Sequence, residues 1–241
     1  MGGRRCLPPF IHLIPPMTLS SPLVDAFSSL PLGLCGQHDP ARLVQSVSSV
    51  ERRLNLLTLG AVASTNLPGP EQWAVLVDHQ ENWLFDPSQV AYKVSQEVTE
   101  AIVSLHIGAP QYIGRVWWQV CRGVQGRFKG SWRALLEANA DDCAKLIGYF
   151  DRSSATFPVL SGPVVSVRWL DLIHRIGGVP LTGWESLAIP LASSQLKMAA
   201  SFGITDQKVH PLISAALSTW SAACKTLPPD SCGLPSCPKR G

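Results

Sequence analysis

The sequence predicts an all-α protein, and three observations carry that reading. Apolar residues recur at steps of three and four along most of the chain, the spacing of the buried side of a helix. Several of these stretches open on Asp39-Pro40, Asp86-Pro87 or His210-Pro211, where proline suits the first helical turn. Strand-like alternation shows only at Trp73, Val75 and Val77, and one strand has nothing to pair with.

Ser21 to Leu30 reads as a short helix and Pro31 to His38 as loop. Asp39-Pro40 opens a longer helix carrying Leu43, Val44, Val47, Val50, Leu54 and Leu57, which ends before Asn66. Glu71 to Phe85 reads as an extended or partly helical connector. Asp86-Pro87-Ser88-Gln89 starts the next helix, because Asp caps and Gln stands at the capping-box position. One side of it carries Val90, Ala91, Val94, Val98, Ala101, Ile102 and Leu105.

Gly108-Ala109-Pro110 breaks that helix. The helix that follows turns Ile113, Val116, Trp117, Val120, Val124 and Phe128 inward, with Arg115 and Arg122 sharing one side. Gly130-Ser131 restarts a short helix with Trp132, Leu135 and Leu136. Ala140 to Phe150 forms another, with Asp141 and Asp142 favouring the positive end of its dipole.

Leu160-Ser161-Gly162-Pro163 is a compact turn between two helical patterns. Pro163 has its φ pre-set for a first helical position, and Gly162 is free to take backbone angles closed to other residues. The N–H groups around Ser161 and Gly162 are therefore expected to stay exposed at a helix N-terminus, where a phosphate binds readily. Beyond the turn, Val164, Val167, Leu170, Ile173 and Ile176 form a buried face, with Arg168, Asp171 and Arg175 on a polar one. After a Gly-Gly stop, Ile189-Pro190 leads to a helix capped by Ser193 or Ser194, with Leu196, Ala199, Ala200 and Phe202 inward. His210-Pro211 starts the last helix, striped by Leu212, Ile213, Ala216, Leu217, Trp220 and Ala223.

With 241 residues, 46% of them apolar, the chain can bury a full core in one or two domains. Its net charge of +3 is unevenly spread. Residues 17–106 hold four basic side chains against nine acidic, a net of −5, and residues 107–241 hold fourteen against eight, a net of +6. A basic half that contains the turn suits a phosphate-binding surface. The composition divides the chain into an extension at 1–16, with Met17 a second possible start, a helical region at 17–106, a core at 107–225 and a Pro- and Cys-containing tail at 226–241. Seven scattered cysteines suit a reducing cytoplasm better than a disulfide scaffold, and no apolar run approaches the ~18 residues that span a bilayer.

The order helix, Leu160-x-Gly162 turn, helix, then Ile189-Pro190-Leu191 resembles the core of the helix-hairpin-helix DNA glycosylase superfamily. The resemblance covers roughly the last 130 residues, and it implies a helical glycosylase-like domain with duplex DNA as partner. Leu160, Ser161 and Gly162 then hold a phosphate, while Arg168, Arg115, Arg122, Arg127 and Lys129 neutralise its neighbours. The chain also departs from the family. Ser161 replaces the hairpin proline, Val164 the second glycine, and Ala192 the catalytic aspartate, and no lysine falls in Val164 to Arg168. Asp171 and Asp206 are the substitute carboxylates to weigh, although each also reads as a solvated helix or turn residue. Excision without lyase chemistry is what such a chain could retain.

Trp118 is the candidate to stack on a base, whereas Trp117 reads as core. Cys224, Cys232 and Cys237 stand where relatives of this kind hold an iron–sulfur loop, but a fourth ligand is missing nearby, so no metal and no cofactor is expected. The alternative function is a helical protein-interaction module in which the turn is purely structural.

Overall fold

The structure, a computed structural model, describes residues 41–63, 70–107, 109–201, 204–211, 213, 214 and 217. The expectations for residues 1–40, the three tail cysteines and most of the last helix lie outside these residues. The described protein is all-α, with ten α-helices and one two-residue strand pair. It divides between Trp184 and Glu185 into two compact units.

The first unit opens with α1 (Ala41–Gln45) and α2 (Val50–Ala63), where the periodicity predicts one continuous helix. Serines explain the break. Ser46 turns its hydroxyl onto the Leu43 carbonyl, and Ser49 accepts the Arg52 N–H, so side chains compete with the helical ladder between the two pieces. Helix α3 (Pro70–Asp78) takes the partly helical of the two readings of the connector. Trp73 sits against Gly60 of α2, where a Cβ would lie 2.5 Å from the ring, and helical packing on that flat site overrides the alternation of Trp73, Val75 and Val77.

A 3₁₀ turn at Trp83–Phe85 leads to α4 (Pro87–Tyr92), capped as predicted by Asp86, whose carboxylate accepts the Ser88 N–H at 2.9 Å. The predicted long helix divides here, and α5 (Ser95–Ser104) is a separate element. Lys93 and Val94 between them are extended, and the Lys93 carbonyl accepts the Trp118 indole N–H at 2.8 Å instead of a helical N–H. Val94, expected on the buried side, is therefore exposed.

Helix α6 (Pro110–Phe128) is the longest, and Ile113, Val116, Trp117, Val120 and Val124 are buried as its periodicity requires, with Phe128 half-buried. Its end is set by Lys129 and Gly130, both left-handed. Helix α7 (Trp132–Ala138) is capped by Ser131, and α8 (Cys143–Arg152) by Asp142. Helix α9 (Val165–Leu172) is the central element, buried on nearly every side, and it runs into a π-helical turn at Ile173–Gly177. Trp169 of α9 meets Phe150 of α8 and Trp132 of α7 at ring separations of 5.3 and 5.8 Å, and donates its indole N–H to Thr58 of α2 at 2.8 Å.

In the second unit β1 (Ile189–Pro190) pairs antiparallel with β2 (Lys208–Val209), Ile189 opposite Val209. Helix α10 (Ser193–Ser201) begins one residue earlier than a serine cap requires. Ala192 holds the capping position. Its carbonyl accepts the Gln195 N–H, and its own N–H is taken by the Gln195 side chain at 2.8 Å. The Gln195 amide donates onward to the Ser214 carbonyl and hydroxyl, each at 3.0 Å, so the buried glutamine is satisfied at both ends. Ala199 is buried, but Leu196 and Ala200 face outward against expectation.

Candidate functional site

Residues 153–164 connect α8 to α9 and contain the predicted turn. Phe157 and Leu160 are buried and anchor it. The N–H of Ser161 donates to the Phe157 carbonyl and that of Gly162 to the Val159 carbonyl, both at 3.0 Å. The expected exposure of these donors is thereby corrected: the turn folds back on itself and uses them. Nor does Gly162 take a positive φ, in contrast to Gly130, Gly178 and Gly183. The donors left over lie one step further on. Pro163 has no N–H, and among the described residues no carbonyl accepts from Val164 or Val165 at the start of α9.

The connection packs on one stripe of α6. Gln119 donates to the Ala155 carbonyl, Gly123 leaves room for Thr156, and Arg127 donates to the Tyr149 hydroxyl and the Ser153 hydroxyl at 3.0 Å each. These residues follow one another at steps of four. Arg122 leaves the helix about 140° from Arg127, at 100° per residue, on the other side of that stripe. Arg115 is exposed on the same side as Arg122. Lys129 is exposed just past the helix end. Arg168 is half-buried, unlike these four, and desolvation lowers its pKa.

Trp118 is half-buried and held twice. Its indole N–H donates to the Lys93 carbonyl, and the Arg122 guanidinium lies 4.8 Å from its ring centroid. One face of the predicted stacking ring is thus already covered by a cation.

The two candidate carboxylates differ sharply. Asp171 is 3% exposed, which corrects its placement on a polar, solvated face. Arg175 donates to both its oxygens, at 2.9 and 2.6 Å, and the Trp184 indole N–H adds a third bond at 3.1 Å. The His174 ring stacks on Trp184 at 4.4 Å and accepts the Leu181 N–H through Nδ1. This is a carboxylate locked by its neighbours, not one open to water or sugar. Asp206 is exposed in the loop before β2, and Ala192 is exposed at the start of α10, both in the second unit.

One group of residues escaped the sequence reading. Lys93 places its ammonium 5.4 Å from the Trp83 ring centroid, and its neighbour Tyr92 is exposed. The adjacent Tyr92-Lys93 pair at the end of a proline-started helix is the only trace of this in the sequence. Among the described residues no cluster of His, Cys, Asp and Glu is arranged to hold a metal ion. In comparison with known protein families, characterised proteins and solved structures, nothing matches this chain.

Proposed function

We propose that the protein binds duplex DNA through its phosphate backbone, in the manner of a helix-hairpin-helix domain, without using Asp171 for chemistry. One observation carries this reading. The α8–α9 connection is packed directly on α6, so the N–H groups of Val164 and Val165, from which no described carbonyl accepts, are carried beside the helix that bears Arg115, Arg122 and Arg127 and ends at Lys129. A helix N-terminus and several cations on one scaffold are what a polyanion requires. If any excision is retained, Asp206 is the carboxylate left to support it, and without a lysine in the turn no imine forms.

The test is fluorescence anisotropy on a labelled duplex across a salt series. Binding should weaken steeply with salt, with a logarithmic slope of about 0.9 per phosphate contacted. Arg122→Glu with Lys129→Glu should lower both affinity and slope for any sequence. Affinity unaffected by salt or by these changes removes the electrostatic basis of the proposal. Excision assays with Asp206→Asn, and borohydride trapping, separate binding from chemistry.

The second reading is a protein-interaction module with a structural turn. It is favoured by the inward N–H groups of Ser161 and Gly162 and by the complete burial of Leu160. Absence of duplex binding at low salt would leave that reading standing.

A further inference from the structure

Tyr92 is 82% exposed and Val94, two residues on, is 59% exposed, at a break where the backbone is held in place. The Lys93 carbonyl between them is fixed by the Trp118 indole, and its ammonium lies over Trp83 and pairs with Glu97 at 2.9 Å. Arg122 covers Trp118 from α6. Arg115 stands seven residues earlier on that helix, about 10 Å along its axis. The Trp83 and Trp118 rings and the Lys93 and Arg122 cations are thus joined by direct contacts, with Tyr92 next to Lys93 in the chain and Arg115 two turns from Arg122 on α6.

The charge balance of this surface is set by its pairings. Glu97 neutralises Lys93, but no carboxylate pairs with Arg115 or Arg122 among the described residues. Arg122 is held over a ring rather than free to swing, so less freedom is lost when it meets an anion. Tyr92 offers an exposed ring next to Lys93 in the chain. An acidic peptide would meet the two arginines and leave that ring unused. A duplex hides its base faces within the stack. A single strand presents both phosphates and bare bases, and both kinds of group find a counterpart here.

We propose that this surface binds single-stranded nucleic acid, with Tyr92 stacking on a base and Arg115 and Arg122 meeting the flanking phosphates. The inference rests on the preceding reading in taking nucleic acid as partner, but it assigns a different substrate form and a residue, Tyr92, that duplex binding does not use.

The experiment measures binding of full-length protein to a labelled oligothymidine of about twenty nucleotides and to a duplex of the same length. Tyr92→Ala should weaken oligothymidine binding about tenfold, with Tyr92→Phe close to wild type, because only the ring is needed. Duplex affinity should not change with either variant. Lys129→Glu, which leaves the Tyr92 ring in place, should act mainly on the duplex. Equal oligothymidine binding by wild type and Tyr92→Ala overturns the inference. So does Tyr92-dependent binding to phosphatidylserine vesicles without oligothymidine binding, which would assign the surface to a membrane. Tyr92-dependent oligothymidine binding in a protein that ignores duplex supports this inference and removes the preceding one.

Discussion

Arg175 grips both carboxylate oxygens of Asp171 from one turn further along, at 2.9 and 2.6 Å, in a setting where neither side chain is more than 10% exposed. Asp171→Asn removes the carboxylate charge that pairs with the Arg175 guanidinium in the core. The expected loss is about 3–5 kcal/mol of stability, read from the urea midpoint. Replacing both residues with leucine should recover much of it. A change below about 1 kcal/mol, together with lost activity on DNA, would instead make Asp171 a functional carboxylate.

Two glycines three residues apart on α6 predict opposite outcomes. A Cβ at Gly123 would lie 2.2 Å from Cγ2 of Thr156, so Gly123→Ala forces the Thr156 side chain out of its place against the helix. The expected cost is about 1–3 kcal/mol. At Gly126 no heavy atom lies within 4 Å, and alanine there should stabilise by about 0.5–1 kcal/mol through helix propensity alone. Thermal unfolding of the pair checks both signs. Equal effects would mean that the connection does not press on Gly123.

Cys121 is fully buried, and burial, reinforced by the Asp86 charge, pushes its thiol pKa well up. The folded protein should therefore protect Cys121 from iodoacetamide at pH 8, with alkylation appearing only on unfolding, as peptide mapping would reveal. The sign of the pH dependence follows. The folded state holds the proton more tightly than the unfolded state, so the Cys121 contribution is complete below the unfolded thiol value of about 8.5 and is lost as pH rises beyond it. Cys121→Ala should flatten the alkaline decline in stability.

The Glu51 side chain predicts a cap seen only in three dimensions. It accepts the Trp132 N–H at 2.6 Å, the Arg133 N–H at 3.3 Å and the Ser131 hydroxyl at 3.2 Å. A carboxylate there meets the positive end of α7. Glu51→Ala should cost about 1–2 kcal/mol in urea unfolding, and Glu51→Gln less. Loss of the same size for Glu51→Gln would assign the effect to charge rather than to hydrogen bonding.

What the sequence made legible was local. Asp86 and Ser131 cap helices that begin where their residue types say they should, because a cap depends on groups two and three residues away, whereas the helix expected from Ala140 starts only at Cys143, with Asp142 as its cap. The α6 stripe was legible for the same reason. The division at Lys93 was not, since it depends on an indole 25 residues later in the chain. Asp171 was misplaced because α9 is buried on most sides and turns Asp171 inward, onto Arg175 and onto Trp184, which lies beyond the helix. The turn at Ser161 and Gly162 was found, but hydrogen bonding to Phe157 and Val159 set the direction of its N–H groups.

Arg53 near the start of the first unit donates to the Val47 carbonyl at 2.8 Å and to the Gly177 carbonyl at 3.2 Å, across 124 residues. On the ribosome, at roughly 5–20 residues per second, the second of these partners emerges about 6–25 seconds after the first. Until then the apolar side of α2 has no α9 to cover it. The nascent chain thus leaves the α9 side of α2 uncovered until α9 and the turn at Gly177 have been made.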